Sequence, residues 1–146
     1  MAKLTAISAS PRRRGNSELL LESFCRGAAE KGWEVQTYRL HEMDIAPCRA
    51  CDGCAATGRC VVQDDMLLLH REVEQADALI LATPLYFGSV SAQLKIFIDR
   101  FQCWWFAKYR LKTPFVQRGE SRPGYLLSVG ALKNPEYSAS AANIVQ

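Results

Sequence analysis

The sequence predicts a single doubly wound α/β domain, a three-layer α/β/α arrangement around a parallel sheet. Three observations predict it. Strand-length apolar runs alternate with segments of helical periodicity, in the order βαβαβαβ. Ala78 to Thr83 is apolar without interruption, as expected of a central strand covered on both faces. Polar, turn-rich loops follow the first and third strands, where open parallel sheets place their ligands. The 146 residues suffice for one domain and are too few for two ordinary ones. With 49% hydrophobic residues, the chain can fill a packed core.

The elements follow in order. Leu4 to Ser8 reads as a short strand. Ser10 to Asn16 is a loop holding Pro11 and Gly15. A helix is expected from Ser17 to Lys31, with Leu20, Leu21, Phe24 and Ala28 at helical spacing and Gly32 as its stop. Trp33 to Leu40 is the second strand. Pro47 to Arg59 lacks periodicity and is rich in Cys, Ala and Gly, a loop held by something other than apolar burial. Asp64 and Asp65 favour a helix start, and Met66, Leu69 and Val73 share one face of the helix that runs to Gln75. Pro84 ends the third strand. Ser91 can cap a further helix with Leu94, Ile98 and Phe101 in a stripe. Gly124 to Gly130 is the fourth strand. Gln102 to Pro123 is irregular, aromatic and basic, with no assignable element.

Several function classes are disfavoured. A formal net charge of +3 is far below that of a nucleic-acid binder. The apolar run Ala76 to Pro84 contains Asp77 and falls far short of the roughly 20 residues needed to cross a membrane. The N-terminus lacks the pattern of a signal peptide. Six cysteines without an export signal point to a reducing compartment, the cytoplasm, where clustered thiols serve as metal ligands or redox groups.

Three candidate sites remain. The first is Ser10-Pro11-Arg12-Arg13-Arg14-Gly15-Asn16-Ser17. A helix N-terminus offers unpaired N–H groups, Ser10, Asn16 and Ser17 add hydrogen-bonding side chains, and Arg12 adds a charge-assisted bond. The set suits a phosphate monoester; the alternative is a surface turn with solvated arginines. It is neither a Walker A loop nor a Gly-x-Gly-x-x-Gly turn. Ser-x-Arg-x-x-x-Asn-Ser after a first strand resembles the FMN phosphate loop of the NAD(P)H-dependent FMN reductase and iron–sulfur flavoprotein families. The resemblance implies a flavodoxin-like fold.

The second is Pro84-Leu85-Tyr86-Phe87-Gly88-Ser89, where Gly88 permits close backbone approach and the aromatic rings can meet a flat heterocycle. A loop packed on the core is the alternative. With Val90 to Lys95 and Phe97-Ile98-Asp99-Arg100, this block resembles the isoalloxazine loop of the same families, which implies that Pro84 to Ser89 line the flavin ring.

The third is Cys48, Cys51, Cys54 and Cys60, spaced Cys-x2-Cys-x2-Cys-x5-Cys. Such thiolates suit an iron–sulfur cluster; a zinc tetrathiolate, free thiols or a redox disulfide are alternatives. The spacing, with the Cys60-Val61 and Asp64-Asp65-Met66 context, resembles the cysteine motif of the iron–sulfur flavoproteins. It implies a 4Fe–4S cluster passing single electrons to FMN.

The resemblance therefore implies one of two activities. In the first, FMN takes a hydride from NAD(P)H and reduces a small acceptor such as a quinone, free flavin or an oxygen species, with no catalytic acid–base side chain required. In the second, the chain is a one-electron carrier supplied by a ferredoxin-like partner. A non-redox binding module is disfavoured, since all three blocks occur in the family order.

Cys25 and Cys103 read as small buried hydrophobes, and His41 and His70 as isolated structural or surface residues. Trp104, Trp105, Phe106 and Tyr109 read as a subunit-contact or capping element, with Lys108, Arg110 and Lys112 as candidate contacts for a dinucleotide's phosphates. The fifth strand and last helix of a flavodoxin-like fold are not found. The chain is therefore either shortened or naturally brief, and the third flavin-contacting loop, starting near Gly130, is in doubt. A fourth strand left at the edge predicts a homo-oligomer, a homodimer or homotetramer.

Overall fold

The structure, a computed structural model, describes residues 1–115 and 122–145. Four strands form one parallel sheet: β1 (Lys3–Ser8), β2 (Glu34–Arg39), β3 (Ala78–Pro84) and β4 (Gly124–Val129). Their order is β2-β1-β3-β4. This is the first four-fifths of the 2-1-3-4-5 order of flavodoxin-like folds, with the switch point between β1 and β3. The predicted fold class is the observed one.

Alternate residues of β1 and β3 face opposite layers, because side chains alternate along a strand. Leu4, Ala6, Ile80 and Ala82 pack against Leu21 of α1 (Asn16–Glu30). Ile7, Ala9 and Leu81 join the other layer. Its buried residues include Met66, Leu69 and Val73 of α2 (Met66–Gln75), Leu94 and Phe97 of α3 (Ala92–Asp99), and Ala141 of α5 (Pro135–Val145).

The α3 stripe of Leu94, Ile98 and Phe101 packs on this core, with Leu94 and Phe97 the helix's most deeply buried residues. One expectation needs correction. The segment after Arg100 is helical in its first part. The short α4 (Gln102–Trp105) runs directly into a π-helical turn, Phe106–Arg110. A change from 3.6-residue winding to the wider π turn erases the spacing by which a helix is read. The remainder, 116–121, lies outside the described residues. No described helix is long and apolar enough to cross a membrane. Among the described residues β4 has one strand neighbour, and Tyr125 on it is 46% exposed.

Candidate functional site

All four strands are parallel, so the loops after β1, β2 and β3 emerge at the same carboxyl edge. Specific hydrogen bonds draw them together. The Ala9 N–H donates to Ala82 O (2.8 Å), and the Ser91 hydroxyl donates to Ala9 O (2.8 Å). Ser91 also accepts from the Leu94 N–H (3.3 Å) as the α3 N-cap, while its own N–H donates to the Thr83 hydroxyl (3.0 Å). Ser91, fully buried, thus joins the first candidate loop to the second. The Leu85 N–H donates to Val129 O (2.8 Å), bringing in the end of β4.

The first loop is built for an anion. α1 starts after Gly15, which offers no side-chain cap, so the first-turn N–H groups are left for a ligand. Ser10 and Ser17 are buried, and the Ser10 hydroxyl bonds Arg12 O (2.9 Å), tightening the turn. Arg13 pairs with Glu42 (2.6 Å), and the Arg14 N–H with Glu18. The exposed Arg12 guanidinium has no ion pair among the described residues. Glu18, in the first helical turn, would repel an anion; its ion pair with Arg39 neutralises it. Ser8 Oγ, buried at the end of β1 beneath the loop, has no hydrogen-bond partner among the described residues.

In the second loop, Tyr86 and Ser89 exchange two backbone hydrogen bonds of 3.0 Å. Phe87 (φ 51°) and Gly88 (φ 73°) between them are both left-handed, the pattern of a type I′ turn. Gly88 suits that turn and a phenylalanine does not. Phe87 is also fully exposed, so no burial offsets its strain. Strained exposed aromatic residues occur at ligand sites. Phe87→Asn is therefore expected to raise stability by about 0.5–1 kcal/mol, since Asn-Gly is the favoured I′ pair, while weakening ring binding. Thermal unfolding and flavin titration of the same variant check both signs.

The four predicted cysteines border one cavity, together with Arg49, Val61, Arg100, Cys103 and Phe106. Ala50 (φ 49°) and Asp52 (φ 54°) are left-handed, and Cys51 between them and Arg49 before them are not. Left-handed residues at both positions shape the chain around Cys51. The Gly53 N–H and the Arg49 side chain hold the Cys51 thiol below its ordinary value. Burial, and then the neighbouring cysteines, raise Cys54. Among the described residues no group of three or more His, Cys, Asp and Glu is gathered tightly enough for one metal ion. A tetrahedral zinc site would need its sulfurs about 3.8 Å apart, from Zn–S bonds of about 2.3 Å. Four thiolates are also the donor set of an iron–sulfur cluster, and all four line the one cavity.

Sequence reasoning missed the residues that hold this loop. Asp64 accepts from the Ala46 N–H (3.0 Å) and the Met66 N–H (3.1 Å) and pairs with Arg100 (2.5 Å). Burial alone would raise the Asp64 carboxyl; the Arg100 guanidinium and those N–H groups bring it below its usual value. His70 is not isolated. Its Nε2 lies 3.1 Å from Arg100 O and 3.8 Å from Cys103 Sγ, with the Phe101 ring 5.0 Å away. Burial pulls its pKa down to about 4 and pushes Cys103 up to about 11, so both are neutral at pH 7. A depressed histidine leaves stability intact above its unfolded value of about 6.5 and lowers it as pH falls toward 4, because only the unfolded chain then binds the proton. About 1 kcal/mol is expected to be lost between pH 7.5 and 5.5. Urea unfolding of wild type and His70→Gln at the two values checks it, the variant losing that part of the pH dependence.

The aromatic segment caps the cysteine loop. Trp104 packs on Phe101 (4.8 Å) and Phe115 (5.6 Å), Arg59 stacks on Phe115 (4.6 Å), and Phe106 walls the cavity. Trp105 and Tyr109 stay exposed, as do Lys108 and Arg110.

With this geometry, comparison with known proteins is specific. The family described as NADPH-dependent FMN reductase matches residues 2–140. An iron–sulfur flavoprotein of Methanosarcina thermophila is 35% identical over 132 residues, 90% of this chain and 65% of its own length. One from Methanocaldococcus jannaschii is 40% identical over 98 residues, covering 67% of this chain and 51% of its own. The chain thus spans about half to two thirds of these relatives. Among solved structures, RosB with a bound 8-demethyl-8-formylriboflavin-5'-phosphate intermediate superposes with a TM-score of 0.76 at 17% identity, over 99% of this chain and 57% of RosB. At that identity the likeness concerns the fold.

Proposed function

The chain belongs to the NADPH-dependent FMN reductase family, and from that premise we propose that it binds FMN at the carboxyl edge of its sheet and works as an oxidoreductase. The observation that carries this reading is the uncapped start of α1 beside the strained 84–89 turn, the two tied by the Ser91–Ala9 hydrogen bond. The phosphate sits on the N–H groups of Asn16 and Ser17, with Ser10 and Gly15 shaping the turn and Arg12 adding charge. The ring lies along Pro84 to Ser89, between the exposed faces of Tyr86 and Phe87 and the backbone of Leu85, Gly88 and Ser89. Bound FMN supplies the electron chemistry. The protein binds it, orients its edge and leaves a face for NAD(P)H and a small acceptor such as a quinone or free flavin. Arg12→Glu is expected to weaken FMN binding at least tenfold, the scale of one charge-assisted bond lost, and to leave riboflavin binding unchanged. Equal loss for both ligands would remove the phosphate from this loop. Rapid bleaching of bound flavin by NADH or NADPH tests the donor.

A second reading is favoured by the four cysteines around one cavity. There Cys48, Cys51, Cys54 and Cys60 hold a 4Fe–4S cluster, and the protein passes single electrons from a ferredoxin-like donor to FMN. Absorption with iron and acid-labile sulfide analysis on anaerobically purified protein decides. About four irons and four sulfides per chain, the stoichiometry of such a cluster, with slow bleaching by NAD(P)H and fast reduction by ferredoxin, support the relay. Flavin bands without iron leave the reductase alone. The β4 edge and the cysteine chemistry are in keeping with a homodimer or homotetramer in a reducing compartment. Light scattering that shows only monomer would remove the oligomer.

A further inference from the structure

We propose that Arg100 is a positioning residue for the cysteine site: it fixes Cys60 Sγ and favours the more negative, reduced state of the thiolate-bound iron–sulfur group. This rests on the relay reading above.

The guanidinium is almost wholly buried, its side chain 1% exposed. Its fork is divided. Nη1 donates to Ala46 O (2.7 Å) and to Asp64 Oδ2 (2.5 Å). Nη2 donates to Asp64 Oδ1 (2.9 Å) and to Cys60 Sγ (3.4 Å). Nε is buried with no partner among the described residues, and Arg100 lines the cavity with all four cysteines. A pair that served only to staple the loop would need Asp64 and nothing more. Here Nη2 also donates to a sulfur, and Nε is buried without a partner among the described residues, which goes beyond what the Asp64 pair requires.

Adding one electron to a thiolate-bound group raises its negative charge by one, with no bond made or broken. A fixed cation donating to a ligand sulfur favours that step, and burial strengthens the effect. The placement also suits the electron path. Arg100 directly follows α3, and α3 begins at Ser91, which is bonded to the phosphate loop and closes the flavin turn. Eight helical residues therefore join the two sites through one rigid element. Sequence alone did not expose this role, because Arg100 and Cys60 are 40 positions apart.

The test compares anaerobic wild-type protein with Arg100→Lys and the double variant Arg100→Gln with Asp64→Asn, which leaves no buried charge unpaired. Iron, sulfide and FMN are counted per chain, and the one-electron midpoint is read by electron paramagnetic resonance during a dithionite titration. The expected result is unchanged stoichiometry and about a tenfold lower equilibrium constant for reduction in the double variant, a midpoint about 59 mV more negative. Arg100→Lys, which keeps the charge but not the fork, is expected between the two. If the double variant does not fold, a negative shift in Arg100→Lys carries the inference. Loaded variants with the wild-type midpoint overturn it. Variants that lose iron while keeping FMN show loop support alone and also overturn the electronic role. Wild type without iron and sulfide instead overturns the relay reading itself.

Discussion

Asp64→Ala is expected to destabilise the fold by about 3–5 kcal/mol, the cost of stranding a buried charge. The carboxylate is 5% exposed and the guanidinium it faces 1%. Removing it leaves Arg100 in the core with a carbonyl and a thiol in its place, and orphans the Ala46 and Met66 N–H groups. Urea unfolding against wild type measures the loss. A cost under about 1 kcal/mol would mean that water reaches the pair, as at an exposed salt bridge. The companion Arg100→Met with Asp64→Leu removes both charges and is expected to recover most of the stability, since well-packed apolar residues often replace a buried pair at no loss. That rescue separates stability from function: the double variant folds with a slack cysteine loop, because Asp64 ties the chain on either side of it. Acid acts in the same direction as Asp64→Ala. The depressed Asp64 carboxyl contributes stability that is complete above its unfolded value and disappears as pH falls through the folded one. This phase comes below the one due to His70, so two acid steps are expected.

The parts of the molecule legible in its sequence are those whose signal is local. Ala78 to Thr83 reads as a buried strand because a strand covered on both faces favours a continuous apolar run, here Ala78 to Ala82. Ser91 reads as a cap because its hydroxyl acts three residues away. Its second bond, to Ala9 across 82 positions, has no local trace, and that bond brings the two candidate loops together. His70 looked isolated for the same reason: Cys103 is 33 positions away. Asp64 was legible only as a helix start, which it is, through the Met66 N–H. Its larger task, the pairing with Arg100, depends on how α3 crosses the loop. The helix ahead of residues 116–121 is hidden for a different reason. Phe101, Trp104 and Phe106 pack on a cavity wall and a histidine rather than along a stripe, and the π turn displaces the register. α5 is too rich in alanine and serine to show a face, and Ala141 is its one buried residue.

Gly58→Ala is expected to cost about 2–4 kcal/mol, combining about 1 kcal/mol for a left-handed non-glycine residue with about 1–3 kcal/mol for overpacking. Gly58 has φ +71°, and a Cβ there would lie 2.7 Å from Ala107 Cβ and 3.2 Å from Ala107 Cα. No rotamer relieves that clash, because alanine has none, and Ala107 is fully buried in the π turn. The loop must therefore lift. Cys60 lies two residues on, so under the proposed reading iron content is expected to fall with stability while FMN affinity holds, the proposed flavin loops being anchored separately through Ser91 and Leu85. Gly27→Ala supplies the opposite sign. It lies inside α1, exposed, with nothing within 4 Å of a new Cβ, so it is expected to stabilise by about 0.5–1 kcal/mol through helix propensity alone. Urea unfolding of both variants, with iron and FMN counted on each, checks the pair. Loss of FMN and iron together in Gly58→Ala would show the two sites to be one cooperative unit rather than two loops anchored separately on one sheet edge.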